Sequence, residues 1–411
     1  MRDPGRVAAS IDILKRFAER PMPISVLMKD WERGARYAGS KDRAFVRGLC
    51  LDVLRRWRSF RGEESTRIAT FLTLRDVWRW DEARIAEAFS GEHGDGPLTE
   101  EELGAQASDA LDLPAFLEGI EDAAVISESM ATRAPVDLRA NTLKAAREKA
   151  LGALKTLRAG AAPHSPVGIR IPPAPAAEKG PGVTVIPAFG KGWVEVQDEG
   201  SQLTVLAAGD LKGAQVLDFC AGGGGKTLAL SAAMNNSGQV HAYDVDARRL
   251  APIHERLRRA GARNVQVVAP SEPDRLAALE GKMDLVFVDA PCSGSGTWRR
   301  HPDTKWRLSE EHLQTRMGEQ DEVLDQAARY VKPGGTLLFV TCSFLREEND
   351  QRAEAFLARN EAFGMAGPLD GLADDARETL APFADEKALR LAPWTSGTDA
   401  FTLIRLRRND R

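Results

Sequence analysis

The 411-residue sequence predicts an α/β protein: a doubly wound parallel sheet, preceded by an all-α region and a small α/β connecting segment. Three observations carry this. From Gly213 onward, short apolar runs alternate with amphipathic stretches, the pattern of strands joined by crossover helices. Before about residue 132, apolar residues recur at three- and four-residue spacing with few strand signals. The length exceeds what one ordinary core supports. The boundaries read as 1–132 helical, 133–200 connecting segment and 201–411 sheet domain.

In the first region, Ile11 and Leu14, then Phe45, Leu49, Val53 and Trp57, mark one face of a helical bundle, with Arg and Lys filling the gaps. A Gly/Asp/Pro loop at 91–97 interrupts it, and the helical pattern is expected to continue to about Thr132. Pro135 to Asn141 reads as a strand and Lys144 to Arg158 as a helix. Residues 159–182, rich in Ala, Pro and Gly, read as a loop or linker around a short apolar piece. The sheet domain then gives strands at 214–219, 239–243, 264–269, 283–289, 335–341 and 400–406. Helices are expected from about 225 and at 246–260, 309–331 and 346–359. In such sheets ligands bind beyond the carboxyl ends of the strands, where strand order reverses.

Composition narrows the class. With 43% hydrophobic and 28% charged residues, no run of eighteen apolar residues and an N-terminus without a signal peptide's apolar stretch, the chain reads as cytoplasmic and not membrane-bound. Cys50, Cys220, Cys292 and Cys342 are widely spaced with no Cys-x-x-Cys, so neither a disulfide framework nor a structural metal site is expected. The net charge of −4 conceals an asymmetry. Residues 1–80 hold 18 Lys/Arg against 10 Asp/Glu, a net of +8, and residues 81–130 hold 1 against 14, a net of −13. The basic block suits phosphates; equally, its charges can be balanced by the acidic block.

Two motifs carry chemistry. Asp218-Phe219-Cys220-Ala221-Gly222-Gly223-Gly224-Gly225-Lys226-Thr227 follows the first strand of the large sheet and opens a helix, placing glycines where backbone approaches a ligand closely. Asp244 closes the next strand, where a carboxylate can accept from both ribose hydroxyls, so a nucleoside-containing cofactor is expected. A P-loop fits only if Ala221 replaces its first glycine. The second motif is a pair of thiols. Cys292 follows the strand ending at Asp289, and Cys342 follows the strand ending at Thr341. If those strands are parallel neighbours, their ends lie about 5 Å apart and both thiols can face one crevice. A metal would need a further ligand, for which His301 is the only nearby histidine, and burial as ordinary core cysteines is the competing reading. Two thiols beside an adenosine cofactor suit methylation of a pyrimidine ring. One adds to carbon 6 and makes carbon 5 nucleophilic; a second group nearby helps the later elimination. Asp289 is placed to hydrogen-bond the ring's nitrogen edge.

The segments Asp289-Ala290-Pro291-Cys292-Ser293-Gly294, Arg299-Arg300-His301-Pro302-Asp303-Thr304-Lys305-Trp306 and Thr341-Cys342-Ser343 with Glu348-Asn349 resemble motifs of the RsmB-type RNA 5-methylcytosine methyltransferases. Leu138 to Asn141 and Val196 to Ser201 resemble the same family's entry region, and Asp42 to Cys50 its NusB-like N-terminal domain. The resemblance implies a class I methyltransferase Rossmann-like fold. It implies S-adenosylmethionine along Cys220, Ala221, Gly222, Gly223, Gly224, Gly225 and Lys226, with Asp244 on the ribose and Asp289 near the methionine or target base. It further implies Cys342 as nucleophile, Cys292 as the group assisting release, and RNA as partner, with 16S rRNA of the small subunit expected and tRNA the alternative. In DNA cytosine methyltransferases the Pro-Cys cysteine would be the nucleophile instead; a non-catalytic RNA-binding assembly factor is a further alternative.

Two positions depart from the family pattern. Gly222-Gly223 stands where Ala-Pro is usual, and Ala269-Pro270-Ser271 where the family often has an aspartate for the adenine amino group; Asp274 is the expected substitute. Arg299, Arg300, Lys305 and Arg307, interleaved with Trp298 and Trp306, are expected to hold phosphates and stack a base. Oligomeric state is not legible in the sequence.

Overall fold

Helical spacing of apolar residues builds the first of two units in the computed structural model, which describes every residue except 177, 179, 181 and 411. This unit comprises Met1–Ala134, Pro173–Pro181 and Thr297–Glu310; the second comprises Pro135–Pro172, Gly182–Gly296 and Glu311–Arg411. Residues 177, 179 and 181 of the expected 159–182 linker lie outside the described residues.

The helical unit runs Asp3–Glu19, Ile24–Gly34, Ser40–Arg55, Thr66–Leu72 with a π-turn at Thr73–Val77, and Glu82–Ser90. Local chemistry sets the starts. Pro4 sits in the first turn of the first helix; Ser65 accepts from Ile68 N and Asp81 from Arg84 N, satisfying donors that a helix start leaves unpaired. Ile11, Leu14, Phe45, Leu49, Val53 and Trp57 are all buried in one cluster, each large side chain contributing about 1.5–3 kcal/mol through removal from water.

The helix expected through the acidic stretch is broken. After Glu100–Gly104 the chain is irregular, with one turn at Ala115–Leu117, until Ala123–Met130. Gly104, Pro114 and Gly119 interrupt helical continuity, and Asp112 spends its carboxylate on Arg58 N (2.9 Å) and the Ser59 hydroxyl (2.6 Å). The acidic block lies against the basic one. Arg67 pairs with Asp95 (2.7 Å) and Glu102 (2.6 Å), Arg56 with Glu128 (2.9 Å), and Arg58 with Glu118. Much of the apparent charge asymmetry is therefore cancelled within the unit.

The Thr297–Glu310 segment corrects an expectation. Of the basic and aromatic patch, Trp298, Arg299 and Lys305 are buried, not displayed. Lys305 Nζ donates to Arg55 O (3.1 Å) and Trp306 Nε1 to Leu54 O (2.6 Å), while Arg55 donates through Nε and Nη2 to Arg299 O. The physical reason is the C-terminus of helix Ser40–Arg55, whose last carbonyls lack helical partners and take these donors instead. Arg300 and Arg307 are half-buried. The segment is a packing element of the helical unit.

The second unit contains two sheets. The smaller is antiparallel, β2-β3-β1-β4, from β1 (Val136–Ala140), β2 (Gly160–Ala161), β3 (Gly168–Ile171) and β4 (Val194–Val196). The apolar piece inside the expected linker is thus strand β3. The larger is built from β5 (Gln215–Asp218), β6 (Gln239–Tyr243), β7 (Val265–Val268), β8 (Met283–Asp289), β9 (Val331–Thr341), β10 (Phe363–Ala366), β11 (Ala388–Leu391) and β12 (Phe401–Arg408), in the order β10-β12-β9-β8-β5-β6-β7 with β11 also on β12. β5 to β9 pair in parallel, and β8 is buried along most of its length, as expected for a strand covered on both faces. The last three strands pair antiparallel, so the sheet is mixed. β10 and β11 are not among the strands expected from the sequence. The expected 246–260 helix divides at Pro252 into Ala247–Leu250 and Ile253–Ala260. Chain order steps from β5 through β6 to β7 on one side and resumes with β8 and β9 on the other. The carboxyl ends of β5 and β8 therefore flank the switch point where ligands of such sheets bind.

Candidate active site

Beyond β5 the glycine loop is held in shape by its amide groups, which donate to the end of β6, to Asp244 and within the loop. Ala221 N donates to Tyr243 O (2.9 Å), Gly222 N to Asp244 Oδ2 (2.9 Å) and Gly224 N to Ala221 O (2.8 Å). Gly222 has φ +49° and Gly224 φ +85°, conformations that side chains rarely take, and a Cβ on Gly224 would stand 2.5 Å from Ile253 Cγ1. The loop is a cradle that only glycine lines this closely. It opens the helix Gly225–Ala233, whose first amide groups face outward from the β5 end.

Asp244 is buried. It also accepts from Asp246 N (2.9 Å), and Arg249 Nη1 stands 3.6 Å away. A carboxylate fixed this way retains acceptor capacity for hydroxyls. Lys226 does not extend over the glycines: its Nζ pairs with Asp289 Oδ2 (3.0 Å) and lies 5.0 Å from the Phe401 ring centroid. Asp218 is buried beneath the loop and accepts from the Thr227 hydroxyl (2.6 Å); its other oxygen has no hydrogen-bond partner among the described residues. Burial pushes its pKa up to about 7; Thr227 and Lys226 oppose the shift, and the charges of Asp289 and Asp244 add to it. Cys220 lies on the loop with its thiol held well above the ordinary cysteine range, chiefly by burial and then by Asp218, Asp244 and Asp289.

At the end of the neighbouring strands the two thiols meet. Cys292 Sγ and Cys342 Sγ are 3.4 Å apart, both half-buried and free. β8 and β9 run parallel with Asp289 opposite Val340, which carries the two following turns to the same edge. One side-chain and one backbone bond fasten the turns together: Ser295 Oγ and Ser343 Oγ share a hydrogen bond of 2.9 Å, and Gly296 N donates to Cys342 O (3.0 Å). Within the second turn's own segment, Thr341 Oγ1 donates to Asn349 Oδ1 (2.5 Å). The Cys292 thiol is raised well above its ordinary pKa by its hydrogen bond to Cys342, by burial, and by the charges of Cys342 and Glu348. Cys50, in the helical unit, is fully buried and pushed up to about 12 by that burial.

Glu348, quoted with Asn349 among the motifs that carry the family resemblance but given no role by the sequence, is fully buried and accepts from Ser293 N (2.6 Å) and from Gln320 Nε2 (3.1 Å). After β7, Asp274 is exposed, whereas Glu272 turns back to accept from Ala269 N (3.1 Å) at the strand's end. Among the described residues no group of three or more His, Cys, Asp or Glu is placed to hold a metal. No helix of the described residues is long and apolar enough to cross a membrane.

Comparison with known proteins agrees with this architecture. Residues 205–407 match the family model described as 16S rRNA methyltransferase RsmB/F. Ribosomal RNA small subunit methyltransferase B of Photorhabdus laumondii subsp. laumondii is 37% identical over 236 residues, 57% of this chain and 53% of the relative. The protein of that name from Salmonella arizonae is 34% identical over 264 residues, 64% and 59%. The chain thus spans about half the length of the curated relatives it matches. Among solved structures, PH0851 covers 99% of both chains with a TM-score of 0.73 at 22% identity, a likeness of fold. A methyltransferase homolog protein from Pyrococcus horikoshii covers 70% of this chain and 91% of its own, with a TM-score of 0.55 at 27% identity.

Proposed function

Since residues 205–407 belong to the RsmB/F methyltransferase family, we propose that this protein transfers a methyl group from S-adenosylmethionine to carbon 5 of a cytosine in RNA, with 16S rRNA the substrate, in the cytoplasm. The observation that carries the reading is the 3.4 Å approach of the Cys292 and Cys342 sulfurs at the ends of adjacent parallel strands, next to the switch point where the glycine loop lies. In this reading residues 201–411 form the catalytic domain, 133–200 a connecting segment and 1–132 a helical NusB-like RNA-binding domain.

S-adenosylmethionine supplies an electrophilic methyl group. Cys220 to Lys226 and Asp244 hold it: the glycines permit close backbone approach, and the buried Asp244 carboxylate suits ribose hydroxyls. Cys342, as thiolate, adds to carbon 6, and the electron pair displaced onto the ring makes carbon 5 nucleophilic toward a methyl group, whose bond to the donor's sulfonium would break with its electrons left on sulfur as a neutral thioether. Asp289, fixed by Lys226, holds the ring's nitrogen edge. Water, as base, then takes the carbon-5 proton, the carbon–hydrogen bonding pair re-forms the ring's double bond to carbon 6, and Cys342 leaves with the electrons of the carbon–sulfur bond; the Cys292 thiol, 3.4 Å away, assists by hydrogen-bonding the departing thiolate. A cytosine in a duplex is out of reach, so the target lies in a loop or is flipped out.

The test is covalent trapping. With RNA and methyl donor, Cys292→Ser should accumulate an RNA–protein adduct that survives denaturant, and Cys342→Ser should form none. The reverse pattern would make Cys292 the nucleophile and remove this assignment. Bisulfite sequencing of RNA from a deletion strain should show one lost mark; a mark lost from tRNA alone would move the substrate there.

A further inference from the structure

The carboxylate of Glu348 has no part in the chemistry above, yet it is fully buried at the junction of the two cysteine turns. It accepts from Ser293 N (2.6 Å), from the Ser293 hydroxyl (2.5 Å) and from Gln320 Nε2 (3.1 Å), so among the described residues its hydrogen bonds come from neutral donors. Gln320 Nε2 also donates to Pro291 O (2.9 Å). Together the two side chains grip the residues on both sides of Cys292.

Burying a carboxylate against neutral donors is costly, and an apolar or amide contact would lock a turn at lower cost. What a charge adds is its field. A negative group beside Ser293 disfavours a second negative charge on the adjacent Cys292 sulfur, and the 3.4 Å hydrogen bond between the sulfurs needs one of them to keep its proton. The hydrogen bond leaves open which sulfur keeps the proton; the charge beside Ser293 selects Cys292.

We propose that Glu348 is a positioning residue that divides the roles of the two cysteines: it clamps the Pro291–Ser293 turn and, through its charge, reserves the nucleophilic thiolate for Cys342. This rests on the reading of Cys342 as nucleophile but is tested without RNA. Initial rates of iodoacetamide alkylation at pH 8, resolved by peptide mass spectrometry, compare the two thiols directly. In the wild type Cys342 should alkylate first. Glu348→Gln should shift the Cys342:Cys292 ratio toward Cys292 by about threefold to tenfold, whereas Ser293→Ala, which leaves the charge in place, should keep Cys342 first. Faster alkylation of Cys292 in the wild type overturns the proposal, as does an unchanged ratio in Glu348→Gln with a native melting profile. Should Glu348→Gln not fold, the wild-type order and Ser293→Ala still decide it: loss of the Cys342 preference in Ser293→Ala refutes the role of charge. Failure of the methyltransferase reading is seen separately, as absence of any RNA adduct in protein whose alkylation ratio still responds to Glu348.

Discussion

Replacing Lys305 with methionine should stabilise the helical unit, and by an amount that depends on pH. Lys305 is fully buried, donates to Arg55 O and lies 4.5 Å from the Trp306 ring centroid. Burial, with Arg55 and Arg56 adding to it and Asp112 opposing, lowers its pKa from 10.5 to about 7. That shift corresponds to about 5 kcal/mol of penalty on the charged form, at about 1.4 kcal/mol per unit. The unfolded chain keeps this proton up to pH 10.5, and the folded chain only up to about 7. The unfolded state therefore binds more protons between those values, and wild-type stability rises with pH across the window. Below pH 7 the penalty is complete. Lys305→Met removes it at the expense of one hydrogen bond to a helix-end carbonyl, about 1–3 kcal/mol, leaving a net gain of about 2–4 kcal/mol at pH 6. The gain should shrink by about 1.4 kcal/mol per pH unit above 7 and reverse before pH 10.5. Urea unfolding followed by tryptophan fluorescence reads this unit selectively, because six of the eight tryptophans (Trp31, Trp57, Trp78, Trp80, Trp298 and Trp306) lie in it. A stability difference that does not vary with pH, or that grows toward pH 10, would refute the reasoning.

Asp218 has the opposite sign. Its folded pKa of about 7 stands above the ordinary aspartate value of 3.8, so the folded state binds more protons between them and wild-type stability falls as pH rises through that range. Asp218→Asn should gain about 2–4 kcal/mol relative to wild type from pH 4 to 7, seen as a widening gap in melting temperature; a constant gap would count against it. Gly224→Ala, strained at φ +85° and pressed on Ile253, should lose about 1–3 kcal/mol of stability and at least about tenfold in S-adenosylmethionine affinity by calorimetry. Gly318→Ala, exposed in the helix Glu310–Ala328 with open space around its Cβ and outside the loop, is the control and should bind as the wild type does. In the trapping assay the two cysteine variants should differ qualitatively, Cys292→Ser retaining the adduct and Cys342→Ser losing it.

Local pattern makes most of the large sheet legible in the amino-acid sequence. Strands 239–243 and 283–289 are observed at those limits because each is a short apolar run bounded by turn residues. The glycine loop and both cysteine turns stand at the strand ends expected for them, since a strand end followed by glycine or Pro-Cys leaves the backbone few other courses. The weaker strands β10 and β11 have no such signature, their pattern being completed only by pairing with β12. The basic residues from Arg299 to Arg307 mislead for a related reason: charge in a sequence carries no burial, and Lys305 goes inside because helix-end carbonyls await it there.

Composition, periodicity and motif spacing by themselves determined an α/β chain with a helical front, a glycine cradle and two thiols at strand ends. Only the tertiary structure decided that the thiols approach to 3.4 Å, that Lys226 serves Asp289, and that Glu348 and Gln320 hold the Cys292 turn. Secondary structure follows from preferences spanning a few residues. These contacts join positions 28 to 63 residues apart, and pairing strands and burial alone bring such positions together.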